Sequence, residues 1–253
     1  MPTPVNKNDE QKKKRTPFAV VEAYNTIRTN LLFLLSQYKS KAITISSSNA
    51  GEGKSTTALN IAIAFSQLGS KTLLVDCDLR KPTVHRKLHI NSDKGITNVL
   101  VGFSSFDEAV YSVNPNFDVF TAGSTPPNPS ELLAGEAFDA FIKEAESRYD
   151  YIIIDTPPVN VVSDALTVGQ KTAGILLVVR DRITYLEDIK SAVSSIEFAN
   201  IRILGTVLNG TIAKTENKRK YSKYGYSSYG GYGYGYGYGY GYGRNHDKKD
   251  SSE

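Results

Sequence analysis

"SSNAGEGKSTT", residues 47–57, decides how this chain is read. It follows "KAITIS" (41–46), a short β-branched run, and it opens an amphipathic stretch near 54–68. A glycine-rich turn from strand to helix points backbone N–H groups inward, and the helix N-terminus adds partial positive charge. Together they make a cradle for phosphate. Gly51, Glu52, Gly53, Lys54, Ser55 and Thr56 are the candidate nucleotide-binding residues. In this pattern Lys54 reaches the β- and γ-phosphates of a nucleotide, and the Ser55 hydroxyl takes Mg²⁺. The strict pattern opens on glycine, where this chain has Ser48. The competing explanation, a chance glycine turn, is disfavoured by the strand before it and the helix after it.

Outward from the loop, β-type and helical segments alternate. "KTLLVDCD" (71–78), "YIIIDTPP" (151–158), "GILLVVR" (174–180) and "RILGTVLNG" (202–210) are apolar and bounded by turns, and "NFDVFTAG" (116–123) is a weaker strand. Amphipathic stretches near 130–147, 162–172 and 184–199 lie between them. Strands this apolar, alternating with helices, predict an α/β fold of the P-loop NTPase kind, a mostly parallel sheet with helices on both faces. Val20, Val21, Tyr24, Ile27, Leu31, Leu34, Leu35 and Tyr38 form one side of a helix ahead of the first strand. Asn128, Pro129 and Glu131 mark another helix start, with Asn128 as its N-cap. The expected organisation is a flexible segment over 1–16, a nucleotide-binding domain over 17–211 and a flexible tail over 212–253.

Composition narrows the possibilities. A chain of 253 residues with 40% hydrophobic residues can bury one substantial core. A net charge of +4 is too mild to announce nucleic-acid binding. Cys77 is the only cysteine, so no internal disulfide forms. No apolar run reaches the ~20 residues of a membrane span, and the expectation is a soluble, cytoplasmic protein.

Two more strands end in acid: Asp76 and Asp78 close the second, and Asp155 closes "YIIID". Ligands of open α/β sheets bind beyond the carboxyl ends of the strands, so these carboxylates are expected to converge near Lys54 and Ser55. Phosphoryl transfer needs positioning and charge neutralisation, and carboxylates that hold Mg²⁺ or accept a proton supply both. Lys54, Asp76, Asp78 and Asp155 are therefore the catalytic candidates, with Ser55, Asp78 and Asp155 as metal ligands. Whether Asp76 or Asp78 takes the proton stays open. Cys77, between them, is expected on the opposite face as a small buried hydrophobe. Asp164 in "VVSDAL" has two readings, a functional carboxylate or an N-cap, and the N-cap is the favoured one. His85 and His89 lack a third ligand nearby and read as ordinary polar residues. Arg180 and Asn209, both at strand ends, are candidates for the adenine side of the site.

"GEGKST", "LLVDCDLRKP" and "YIIIDTPP" resemble the Walker A, A′ and B motifs of bacterial tyrosine kinases of the capsular and exopolysaccharide type. "GITNVLVG" (95–102), "TPPNPSELL" (125–133) and "LGTVLNG" (204–210) are also similar to that family, and Arg80 completes the A′ motif. The resemblance implies an ATP- and Mg²⁺-dependent kinase whose C-terminal tyrosines are phosphorylated between subunits of a homo-oligomeric ring. It implies a split form held at the inner face of the cell membrane by a separate membrane adaptor that activates it. A phosphatase opposes it, and the process controlled is polysaccharide polymerisation and export. Two departures stand out. Ala50 replaces a frequent proline, and "EAYNTIR" keeps Glu22 and Arg28 as ring-contact candidates but has Asn25 where an arginine is frequent.

Two other functions share these features. A partition or septum-positioning ATPase carries a second lysine five residues before the first, where this chain has Asn49. A low-complexity scaffold with an incidental ATPase domain would explain the tail but not the aspartates. The tail holds ten tyrosines: Tyr221, Tyr224, Tyr226, Tyr229, Tyr232, Tyr234, Tyr236, Tyr238, Tyr240 and Tyr242. Glycine alternation keeps such a chain slender and its phenols accessible, so these are the candidate phosphoacceptors. A Gly-rich stretch of ~20 residues spans on the order of 25 Å, enough to reach a neighbouring site.

Overall fold

A computed structural model describes residues 18–211. The expected segment 1–16, the expected tail 212–253 and its ten tyrosines lie outside the described residues. In chain order the first elements are α1 (Phe18–Leu35), β1 (Ala42–Ser47), α2 (Lys54–Ser66), β2 (Thr72–Asp76), α3 (Val84–Leu88), α4 (Ile96–Leu100) and α5 (Phe106–Ala109). Then follow β3 (Tyr111–Asn114), β4 (Phe117–Phe120), α6 (Pro129–Ala134), α7 (Glu136–Arg148) and β5 (Tyr151–Asp155). The last are α8 (Asp164–Gly169), β6 (Ile175–Arg180), α9 (Leu186–Phe198) and β7 (Ile203–Asn209).

The strands form one sheet in the order β3-β4-β2-β5-β1-β6-β7. All neighbours are parallel except β3 and β4. Both faces are covered, which is why the inner strands are apolar throughout rather than alternating. Leu73, Val75, Ile152 and Ile154 face one layer, where Phe138 and Phe141 of α7 pack. Leu74, Ile153, Ile43 and Ile45 face the other, against Phe65 of α2 and Leu31 and Leu35 of α1. Ile175, Leu177 and Val179 of β6 pack with Ala192 and Ile196 of α9. The α/β fold and its parallel sheet are as the sequence predicts.

Several details differ. β3 has no counterpart in the sequence pattern, because its four residues are short and largely exposed and carry no alternation. The single helix expected near 130–147 is two helices, since Gly135 is extended (φ −70°, ψ 163°) between α6 and α7. Asn128 holds the N-cap position, but its amide donates to the Glu131 carboxylate (3.0 Å) instead of capping the helix. Ser163, not Asp164, precedes α8 as its N-cap residue. In α1 the apolar stripe packs from Tyr24 onward, while Val20 and Val21 are exposed. Among the described residues no helix is long and apolar enough to cross a membrane.

Strand order positions the site. β2, β5 and β1 are consecutive, so Asp76, Asp155 and the turn after Ser47 emerge side by side at the carboxyl edge. Asp76 and Asp155 are direct register partners.

Candidate nucleotide and phosphoryl-transfer site

The chain leaves β1 at Ser47 and enters α2 at Lys54 through a turn that holds Gly51 and Gly53 at φ 83° and 99°. Side chains rarely adopt this left-handed region. Gly53 is constrained twice, because a Cβ there would lie 2.0 Å from Asn209 Nδ2. Asn209, at the end of β7, donates Nδ2–H to the Glu52 carbonyl (2.9 Å). Arg180, at the end of β6, donates Nη1–H to the Gly51 carbonyl (2.7 Å). Glu52 is buried, its carboxylate accepting the Asn49 amide (3.2 Å) and the Thr184 hydroxyl (2.6 Å). Its side chain braces the loop from behind. The phosphate cradle is thus held from β6, β7 and its own backbone, the preorganisation an electrostatic site requires.

In front of the loop lies a cleft of about 600 Å³. Gly51, Gly53, Lys54, Ser55, Thr56 and Asp78 line it together with Arg180 and Asn209. The phosphate-loop candidates other than Glu52, whose side chain is taken up behind the loop, therefore share one cavity with the two strand-end residues.

Beneath it the acids converge on Lys54. Its Nζ lies 2.6 Å from Asp78 Oδ2 and 3.8 Å from Asp155 Oδ1. Burial alone would lower the Lys54 pKa, but Asp155 and Asp78 outweigh it and raise it, so the ammonium stays charged. Asp155 is wholly buried, and neither carboxylate oxygen accepts a hydrogen bond from a described residue. Burial pushes its pKa up to about 6, against the pull of Lys54. Asp76 is pushed up to about 8, by burial first and by the charge of Asp155 second. Its oxygens accept the amides of Asp78 (3.2 Å), Thr83 (3.1 Å) and Val84 (3.0 Å). Asp76 thus anchors the loop after β2, while Asp78 is the carboxylate that lines the cleft. The Cys77 side chain packs in the opposite core layer, where burial pushes its thiol well up.

Ser55, Asp78 and Asp155 fit the Mg²⁺ expected there. All three are hard oxygen donors, and Asp155, whose ion-pair partner Lys54 stands off at 3.8 Å and whose pKa the Ser55 hydroxyl helps to lower, is a buried carboxylate that a divalent cation would neutralise. His85 and His89 gain no third ligand among the described residues.

Other residues join the site in ways the sequence pattern did not show. Arg80 lines the cleft and pairs with Asp164 through Nε (2.9 Å), so Asp164 is a buried ion-pair partner rather than a cap. Lys87 lines the cleft as well and donates Nζ–H to the Thr56 hydroxyl (2.9 Å). The only sequence signal for it was the basic run "HRKLH" (85–89) after the A′ motif. Away from the cleft, Glu22 on α1 is exposed and accepts the Asn25 amide (3.0 Å). Arg28 is partly buried and donates Nη1–H to the Ala64 carbonyl (2.8 Å), near the C-terminal end of α2.

Loop, lysine and strand-end acids place the protein in the P-loop class of nucleoside-triphosphate-binding proteins. A family model described as an AAA domain matches residues 40–182. The chain is 41% identical over 206 residues to the tyrosine-protein kinase YwqD of Bacillus subtilis (strain 168), covering 81% of this chain and 85% of YwqD. It is 34% identical over 207 residues to the putative tyrosine-protein kinase CapB of Staphylococcus aureus, covering 81% and 90%. Among solved structures, the chimerical protein CapA2B2 superposes with a TM-score of 0.72 at 35% identity, covering 78% of this chain and 86% of that one. The septum site-determining protein MinD of Pyrococcus horikoshii shares the fold at a TM-score of 0.56 and 25% identity. The chain belongs to the family of bacterial tyrosine-protein kinases, the BY-kinases.

Proposed function

We propose that the protein transfers the γ-phosphoryl group of Mg·ATP to tyrosine hydroxyls of its own C-terminal cluster, from one copy of the chain to another. The observation that carries this is the Lys54–Asp78–Asp155 constellation at the mouth of a braced phosphate loop, in a chain that ends in ten closely spaced tyrosines. Lys54 and the loop amides hold the phosphates. Ser55, Asp78 and Asp155 are the residues that would hold Mg²⁺, which when bound neutralises charge building on the phosphate oxygens. Asp78 lines the cleft, so it is the candidate acceptor of the phenolic proton, in place of a bond to Mg²⁺ rather than together with one. The tyrosine oxygen forms the new P–O bond, the bond from phosphorus to the β-phosphate oxygen breaks, and ADP leaves. Asp76 supports this indirectly by fixing the backbone that carries Asp78.

The same reading extends to physiology. The kinase acts at the inner face of the cell membrane, where a membrane adaptor lends an activating segment. It forms a ring, is opposed by a phosphotyrosine phosphatase and regulates capsular or extracellular polysaccharide synthesis and export. That a similar solved structure is the chimerical protein CapA2B2 supports a partner segment. Similarity to kinases over most of the chain favours this over the partition-type switch.

The test is a phosphotyrosine assay with Mg·ATP on the intact protein, Asp78→Ala and a truncation after Lys214. Signal on the intact protein alone supports the proposal. ATP hydrolysis without phosphotyrosine in the intact protein, with an activating adaptor segment added, would refute it in favour of an ATPase switch.

A further inference from the structure

Asp164 is a fully buried carboxylate 84 residues away in the chain from the arginine it grips. Arg80 donates Nε–H to Asp164 Oδ2 (2.9 Å) and Nη2–H to Asp164 Oδ1 (3.3 Å). Nη2 also donates to Ser130 Oγ (3.0 Å), and the Ser130 hydroxyl in turn donates to Asp164 Oδ1 (2.5 Å). These contacts occupy the Nε edge of the planar guanidinium. Nη1 bonds to no other described residue, the side chain is 40% exposed, and Arg80 lines the nucleotide cleft two residues beyond Asp78.

The asymmetry within the pair is informative. A buried carboxylate needs a countercharge, and an arginine serving only that need would be buried with it. Here the carboxylate is buried and held by Arg80 and Ser130 while the cation stays in the cleft. A guanidinium held by one edge keeps a fixed direction for its other edge, which a lysine, with a single freely rotating ammonium, would not. Ser130 lies in the first turn of α6 and Asp164 starts α8, so two helices apart in sequence converge on one side chain. Arg180 and Asn209 already hold the loop carbonyls from β6 and β7, whereas Arg80 approaches from β2, the side of Asp78.

We infer that Asp164 and Ser130 are positioning residues that aim Arg80, and that Arg80 contacts the oxygens of the phosphoryl group in transfer. This rests on the phosphoryl-transfer reading above. No bond to Arg80 forms or breaks; it gives hydrogen bonds and charge where negative charge is redistributed, an effect commonly worth about 10²–10³ in turnover.

ADP release from Mg·ATP tests this whether or not a tyrosine is the acceptor, so its outcome is separable from that of the phosphotyrosine assay. The variants are Arg80→Lys, Asp164→Asn, their combination, and Ser130→Ala. The expected result is kcat lowered about 100-fold in Arg80→Lys and at least about tenfold in Asp164→Asn. Mg·ATP affinity should stay within about threefold in both, since the loop and Lys54 carry ground-state binding. The combined variant should be no slower than Arg80→Lys alone, because Asp164 acts through Arg80. Ser130→Ala keeps the ion pair and the fold, so its kcat should fall severalfold with an unchanged unfolding temperature, even if Asp164→Asn does not fold. Unchanged kcat in Arg80→Lys or Ser130→Ala overturns the inference. So do effects that multiply in the combined variant, or affinity and kcat falling together.

Discussion

At the scale of residues, Asp155 offers a direct test although it is wholly buried. It faces Asp76 in direct register, has Lys54 at 3.8 Å and accepts no hydrogen bond from a described residue. Its pKa is raised from 3.8 to about 6, so the folded protein holds its proton more tightly than the unfolded chain does. The stability this contributes is fully present below about pH 4 and is lost as pH rises through about 6. In metal- and nucleotide-free protein, urea midpoints should therefore favour wild type over Asp155→Asn less and less as pH rises from about 4 to 7. Mg·ATP should reverse that trend in wild type only. Lys54→Met removes the charge that both acids and the phosphates share, and ADP release should drop by about 10²-fold or more. That Lys54, Ser55 and the three aspartates gather at one edge of the sheet was legible in the sequence, because each sits at a helix start or at or just beyond a strand end. Their division of labour was not. Nothing in "LLVDCDLR" reveals that Asp76 turns to the amides of Thr83 and Val84, while Asp78 turns to Lys54.

Between elements, backbone proximity sets the tolerances. Gly53→Ala would place a Cβ against Asn209 Nδ2 at a left-handed φ of 99°, so the loop would have to open. Mg·ATP binding should weaken at least tenfold by calorimetry, and Asn209→Ala in the same chain should recover only part of it, since the backbone strain remains. Gly95 marks a second close crossing: a Cβ there would lie 2.3 Å from both Gly123 N and Thr121 O. Both are backbone atoms, and Thr121 O accepts the Ile96 amide at the start of α4 (2.8 Å), so neither can rotate away. Gly95→Ala should cost about 2–4 kcal/mol of stability in urea titration, with any residual activity showing unchanged nucleotide affinity. The interior strands were readable because both faces are buried and the residues are uniformly apolar. β3 and the helices of four or five residues between β2 and β3 were not, being too short to show a period. The contact of Arg80 with Asp164 was unreadable for a different reason, since pairing across 84 residues depends on strand order.

For the whole molecule, the decisive property is the placement of a phosphate-transfer site and a tyrosine-rich tail in one chain. Residues 212–253 carry eight Lys/Arg and four Asp/Glu, a charge of +4. Modifying all ten tyrosines would add on the order of −15 to −20 charges and invert that sign. A tail converted in this way is expected to loosen contacts between copies, seen as a lower sedimentation coefficient after incubation with Mg·ATP. A truncation after Lys214 should keep ADP release within about threefold while losing that change, because each residue assigned to the transfer site precedes the cut. The most direct measurement mixes two defective proteins: Lys54→Met with its tail intact, and active protein lacking its tail. With Mg·ATP and an activating adaptor segment present, phosphotyrosine should appear on the Lys54→Met chain. If that chain stays unmodified while intact wild type is phosphorylated under the same conditions, transfer between copies is contradicted.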